Sequence, residues 1–326
     1  MGLVEKRRFY ATHHSEGRER LRGEPMKFEA FLKTFDPHTP VLGIVRSLLA
    51  LSLLGTLLCN DIDLVINPLG FTKAPLPGLS DIHNLSLFSL LQNHLWLAKA
   101  LSIFILMAVA SGFYSKFTTI LHAWVALSFA NSCSLIDGGG QINGILTLLI
   151  IPLCLTDPRK NHYFQSIGNQ SAYTALAAYL SLLAAKLQMC FIYFHAAVGK
   201  IPVDEWSDGT ALYYWFQNNI FGVPSPLLEW LQPILTSDIV VFATWGVLVF
   251  EFVLAASITS ERAFRLPIMV LGIFFHLGIA YIHGLTSFFI TMAAGLILYL
   301  GPITTKELRY MRACFAERNF KPFKEI

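Results

Sequence analysis

Residues 172–199 read AYTALAAYLSLLAAKLQMCFIYFHAAVG. The run exceeds the roughly 20 residues needed to cross a hydrocarbon core of about 30 Å, and its one charged residue is Lys186. A strand of a membrane barrel would alternate apolar and polar positions over about ten residues. This stretch is continuous and rich in Ala and Leu, so it predicts a membrane-spanning helix. Working outward, runs of the same kind occupy 41–59, 94–114, 118–136, 140–156, 238–258, 267–283 and 285–301. The sequence therefore predicts an all-α integral membrane protein, a polytopic bundle of about eight transmembrane helices. The composition agrees: 326 residues with 54% hydrophobic and only 14% charged, and a mean hydropathy of +0.55, lie outside the range of soluble domains.

The flanks divide the chain into a basic segment 1–39, a transmembrane domain 40–302 and a basic tail 303–326. Within the first segment Phe28, Phe31, Leu32 and Phe35 recur at helical spacing, which fits either an interfacial helix or an apolar face docked on the bundle. Lys116, Arg159, Lys160, Arg262, Arg265 and the tail's basic residues fall on one side of the expected membrane, whereas Asp61, Asp81, Asp204, Glu205 and Asp208 fall on the other. By the positive-inside rule both termini are expected in the cytoplasm. Two long connections, 60–93 and 200–237, lie on the outer side and are expected to carry function.

Several function classes drop out. The formal net charge is +3, but the basic residues sit at membrane boundaries and form no patch with stacking aromatics, so no nucleic-acid partner is expected. The five cysteines show no zinc spacing, and His276 and His283, seven apart, lie in no HExxH pattern, so no metal is expected. No nucleophile elbow or other protease signature is present.

Polar groups inside apolar runs are costly unless paired or wetted, and so mark candidate sites. Arg46 and Lys186 can snorkel or pair, and Glu251, mid-span, demands a buried partner or a proton. The densest polar stretch is KLQMCFIYFHAAVGKIPVDEW, residues 186–206. Lys186, Tyr193 and Lys200 share one helix face, while Gln188 and His195 lie on a roughly opposite one. Lys200 stands where the helix is expected to end, either as a base with access to a cavity or as an interfacial charge. Downstream, Trp206, Gly209, Thr210 and Tyr213 form an aromatic block, read as cavity lining or as a headgroup belt. Asp137, three glycines and Gln141 join two spans, where the glycines serve a ligand or a tight hairpin.

These runs resemble the sporulation-delaying protein B family from about Met26 to Pro302. The resemblance rests on FDPHTPVLG at 35–43, the DGGGQI turn at 137–142, the DPRKNH run at 157–162, the block W-x-x-G-T-A-x-Y-Y at 206–214, and FFHLGIAYIHGL at 274–285. It implies a bacterial plasma-membrane protein that works with a small partner protein of the SdpA type to mature a secreted antimicrobial peptide from an SdpC-type toxin precursor. More distantly, the chain is similar to the horizontally transferred transmembrane domain of vitamin K-dependent gamma-carboxylase. The carboxylase pattern is met by Gln188, Tyr193 and Lys200, which implies a base at Lys200 and a quinone-type lipid as a possible cofactor. The chain departs from that pattern in having only a short tail after its last span, and in offering DGGGQ where the carboxylase carries a functional histidine.

Three functions follow as expectations: a membrane factor for peptide-toxin maturation, a quinone-linked enzyme that modifies a peptide, and a peptide transporter or immunity protein. The last is disfavoured by the lack of inverted repeats. The cavity of the first is expected around Lys200, Trp206 and Tyr213, with His195, Gly209, Thr210, Asp137, Gln141, His276 and Glu251 as further lining.

Overall fold

The computed structural model describes residues 28–66, 85–134, 138–164 and 171–319. Asp137 lies outside the described residues. Among the described residues the protein is helical, with no strand and two isolated bridges, Ile66 to Cys133 and Phe113 to Asn161. A short helix α1 (28–34) precedes α2 (Pro40–Cys59) and a single turn, α3 (Ile62–Val65). Then come α4 (Leu87–Leu90), α5 (Leu95–Ala110), α6 (Ser115–Ser132), α7 (Gly138–Leu149) and α8 (Ile151–Leu155). The second half holds α9 (Ala172–Lys200), three short helices α10 (Asp204–Ser207), α11 (Ala211–Phe216) and α12 (Ser225–Leu235), then α13 (Ile239–Ala256), α14 (Arg262–His283), α15 (Thr286–Leu300) and α16 (Thr305–Asn319).

All eight expected apolar runs fall on helices, but they are unequal. Five helices are long and apolar enough to cross a membrane: α2, the segment Gln92–Ala110 that contains α5, α9, the segment Ile239–Thr259 that contains α13, and α14. A sixth is counted if α15 and the start of α16, bent by 88° at their junction, make one broken span. The run 140–156 is interrupted at Ile150, where α7 ends and α8 begins with Pro152 near its start. Proline supplies no N–H to the preceding turn, so the ladder breaks there. The connection 200–237, read as loop, folds into α10, α11 and α12.

Helix α15 is the hub. Residues Thr291–Leu296 are buried all round, because α2, α7, α9 and α14 pack against successive faces of the helix. On α9 the buried positions are Ala175, Ala178, Leu182, Ala185, Met189, Tyr193 and Ala197, one stripe at intervals of three and four, and its alanines let neighbouring backbones approach closely. Gly139 on α7 allows the same: a Cβ there would stand 2.6 Å from the Phe288 Cα. At least this glycine of the DGGGQ turn therefore serves helix packing.

One end of the bundle is tied by polar side chains. His38 Nε2 lies 3.1 Å from the Leu153 carbonyl, Thr39 donates to the Ile303 carbonyl, and Thr305 donates through both its N–H and its hydroxyl to Asp36. The DPHTP segment thus joins the start of α2 to the ends of α8 and α15. Beside it Arg46, only 1% exposed, donates to Ser115, Thr118 and His162 Nδ1. His162 Nε2 faces Ser47 Oγ at 3.2 Å, so the ring is neutral with its proton on Nε2. Burial, then the charges of Arg46 and Arg159, push the His162 pKa down to about 3. Asp157 receives Arg159 in a two-pronged pair at 2.8 Å. Burial works to raise its pKa, but the Arg159 bonds and charge outweigh this and hold the carboxyl below its ordinary value. Helix α1 docks here too. Phe35 and Leu32 are buried, and Phe28, Phe31 and Phe35 all meet the Tyr179 ring edge-on.

Candidate functional site: a lysine–glutamate pair under an aromatic mouth

At the opposite end of α9 the inward stripe continues from Tyr193 through Ala197 to Lys200. Glu251, on α13, has no water to solvate its carboxylate and finds a cation there: Lys200 Nζ stands 2.7 Å from both of its oxygens. The third ammonium proton reaches the Ala196 carbonyl at 3.2 Å. All three donors of the ammonium are therefore used. The side chains are 24% and 10% exposed, so the pair is half-screened on the lysine side and nearly dry on the glutamate side. Trp206 covers it, with Nζ 5.2 Å from the ring centroid, a cation–π contact.

About two helical turns deeper on α9, the Tyr193 hydroxyl meets His276 Nε2 of α14 at 2.9 Å. The ring of His276 is ringed by Phe275, Phe288 and Tyr193, and its Nδ1 is buried with no hydrogen-bond partner among the described residues. The Lys200 charge acts on His276 and the Glu251 charge on Tyr193, so the four groups form one polar tract built from α9, α13 and α14.

The W-x-x-G-T-A-x-Y-Y block wraps the start of α13. Gly209 has φ +87, and a Cβ there would meet Val241, so glycine satisfies both the turn and the close approach. Thr210 donates through its N–H and its hydroxyl to Asp208, the Leu212 N–H reaches Thr244 Oγ1, and Trp245 Nε1 reaches the Ser207 carbonyl. The hydroxyl and N–H bonds from Thr210 hold the Asp208 carboxyl below its usual pKa. Trp206 also lines, with Val203, Glu205, Ala211, Tyr214 and Trp215, an open pocket of about 220 Å³.

The structure gathers Lys200, Tyr193, Glu251, His276 and Trp206 into this tract and places Gly209 and Thr210 in its supporting turn. It does not gather the rest. Gln188 lies roughly 140° around the helix from Tyr193 and makes no side-chain hydrogen bond among the described residues. His195 is exposed on the outside of the bundle, and Gln141 is exposed on α7, away from the pair. Tyr213 stacks edge-on against Tyr214, which lines the pocket in its place together with Trp215. His283 bonds the Phe221 carbonyl. Among the described residues no group of three or more His, Cys, Asp or Glu could hold a metal ion. Sequence reasoning missed two groups. Tyr214 and Trp215 sit in the YYWF cluster, and only the pocket singles them out from Tyr213. His162, although it lies in the DPRKNH run, was not read as the partner of Arg46.

Fold and site together define an integral membrane protein of the helical-bundle class, with a charged pair buried beneath an aromatic mouth. The chain is 36% identical over 292 residues to Uncharacterized protein YitO of Bacillus subtilis, covering 88% of this chain and 93% of that protein. It is 34% identical over 279 residues to Sporulation-delaying protein SdpB of Bacillus subtilis, covering 84% of this chain and 85% of that protein. The chain belongs to the sporulation-delaying protein B family. No family model matches it. No solved structure matches it significantly.

Proposed function

We propose that this protein is a bacterial plasma-membrane factor for the production of a secreted, sporulation-delaying type of peptide toxin. In this reading it crosses the membrane eight times with both termini in the cytoplasm, and it works with a small partner protein of the SdpA type on an SdpC-type precursor. The supporting observation is the aromatic pocket of Trp206, Tyr214 and Trp215, whose Trp206 ring also packs on Lys200 of the Lys200–Glu251 pair. Flat aromatic walls suit apolar side chains of a peptide, and a neutralised charge pair beneath them holds the mouth in shape without repelling an uncharged segment.

A quinone-linked peptide-modifying enzyme with Lys200 as base is the second reading, motivated by the run from Lys200–Glu251 to Tyr193–His276. It requires the ammonium to give up a proton and at least one of its three hydrogen bonds, and Glu251 is the one carboxylate in contact to receive that proton. The saturated lysine favours the factor over the enzyme.

The deciding experiment co-produces precursor and partner with wild-type protein, with Lys200→Ala, with Trp215→Ala, or with neither. Intact mass and toxic activity of the secreted peptide are then measured. The factor reading expects active peptide of unaltered covalent composition, beyond any cleavage, and reduced yield with Trp215→Ala. A mass change that depends on Lys200, with Lys200→Ala still in the membrane, establishes the enzyme instead.

A further inference from the structure

A second cavity opens along the N-terminal half of α9, between α1, α9, α14 and the start of α16. It measures about 230 Å³, and its polar walls come from Lys186, Arg262, Lys306, Glu307, Thr34 and Thr304. Arg265 stands beside it, 3.6 Å from Glu307. Four cations thus face one carboxylate, and that carboxylate is engaged: Glu307 also accepts from the Thr304 N–H and hydroxyl. Arg262 lies over the Tyr310 ring. Lys186 feels the charge of Glu307 but does not contact it. It is half-buried, one turn along the inward stripe from Leu182, and its ammonium makes no hydrogen bond and no ion pair among the described residues. A half-buried cation whose nearest carboxylate is engaged elsewhere and shared with other cations leaves room beside it for a further anion.

We propose that this cavity binds the phosphate-bearing headgroup of an anionic phospholipid, with Lys186 as the deep contact and Arg262 and Lys306 at the rim. The chemistry recognised is an anionic phosphate, and three features select lipid as its source. Arg262 opens the candidate span α14, and Lys306 follows the end of α15, so the cavity sits at the level where spans end and headgroups begin. Its apolar walls, Phe31 and Leu183, are 43% and 36% exposed and run out onto the surface of the bundle, where acyl chains would lie. Basic pockets between transmembrane helices at a membrane face are sites for such headgroups. Nothing in this assignment depends on the toxin-maturation reading, because the two cavities share no lining residue.

The test uses the full chain in nanodiscs of phosphatidylcholine, with or without phosphatidylglycerol, and reads retained lipid by native mass spectrometry alongside the melting temperature. Wild type is expected to retain phosphatidylglycerol over phosphatidylcholine by about tenfold, on the order of 1.4 kcal/mol. Lys186→Gln and Lys306→Gln should bring that ratio near one, while Lys116→Gln, an exposed cation elsewhere, leaves it unchanged. In phosphatidylcholine alone Lys186→Gln should melt no lower than wild type, because it removes one of several cations crowded around a single carboxylate. Lys306→Gln lies at an exposed position, so it decides the matter if Lys186→Gln fails to fold. Equal retention of the two lipids by wild type, or an undiminished ratio in Lys306→Gln, overturns the proposal. Inorganic phosphate protecting the protein as well as phosphatidylglycerol does would replace the lipid with a free anion, and also overturns it.

Discussion

Lys200 Nζ stands 2.7 Å from both carboxylate oxygens of Glu251, a pairing across 51 positions of sequence that joins α9 to α13 beneath the Trp206 ring. Each partner is what makes the other tolerable away from water. Removing one should therefore hurt more than removing both. Glu251→Gln and Lys200→Gln are each expected to cost about 2–3 kcal/mol, at the low end for a buried pair because Lys200 is partly exposed, and the double variant less than either single. Thermal melting in detergent checks this, and single variants within about 0.5 kcal/mol of wild type would remove the pair from any account of stability.

Tyr193→Phe deletes the donor or acceptor opposite His276 Nε2 and leaves both ring nitrogens of a buried histidine unpaired. The expected loss is about 1–3 kcal/mol. His276→Phe, which removes the polar ring altogether, should offset most of that loss when combined with Tyr193→Phe. A double variant worse than the sum of the singles contradicts this.

Gly139→Ala would drive a Cβ to 2.6 Å from the backbone of Phe288, which has no rotamer with which to yield. A loss of about 1–3 kcal/mol is expected. At Gly246, where a Cβ would meet nothing within 4 Å, alanine should be neutral or stabilising by up to about 1 kcal/mol. Melting curves of the two variants side by side make the comparison, and a neutral Gly139→Ala refutes the contact.

Acid should unfasten the end tied by DPRKNH. His162 is held neutral, with its pKa lowered from 6.5 to about 3, so the unfolded chain binds more protons than the folded one below pH 6.5. The stability it contributes is complete above pH 6.5 and is lost as the pH falls toward 3. Asp157, whose pKa is also lowered, adds a loss in the same direction only below its unfolded value near pH 3.9. Melting temperature against pH should decline from about 6.5 downward, and His162→Gln should flatten the part of that decline above about pH 4. An unchanged slope in His162→Gln would falsify the assignment of a neutral His162.

Reading outward from residues 172–199, the sequence located the helices because crossing a membrane imposes a length and a polarity that no local context overrides. It also marked Glu251 as a residue in need of a partner, since desolvation is a property of the residue and its run. What it did not settle is rotation and pairing. Gln188 and His195 sit in the same polar stretch as Lys200, but His195 ends up outside the bundle and Gln188 unbonded. Arg46 reads as a cation that either snorkels or pairs, and only the tertiary structure shows that it pairs, sealed against His162, 116 residues away. The 140–156 run reads as one span and is broken at Ile150, where α8 starts against α6 and α9. The length and continuity of the apolar runs therefore established that these segments are helical, five of them long and apolar enough to cross a membrane. Which faces meet, and so which cation finds which carboxylate and which tryptophan closes over them, was decided by side-chain packing between segments far apart in the chain, around the all-round buried α15 that every neighbour must share.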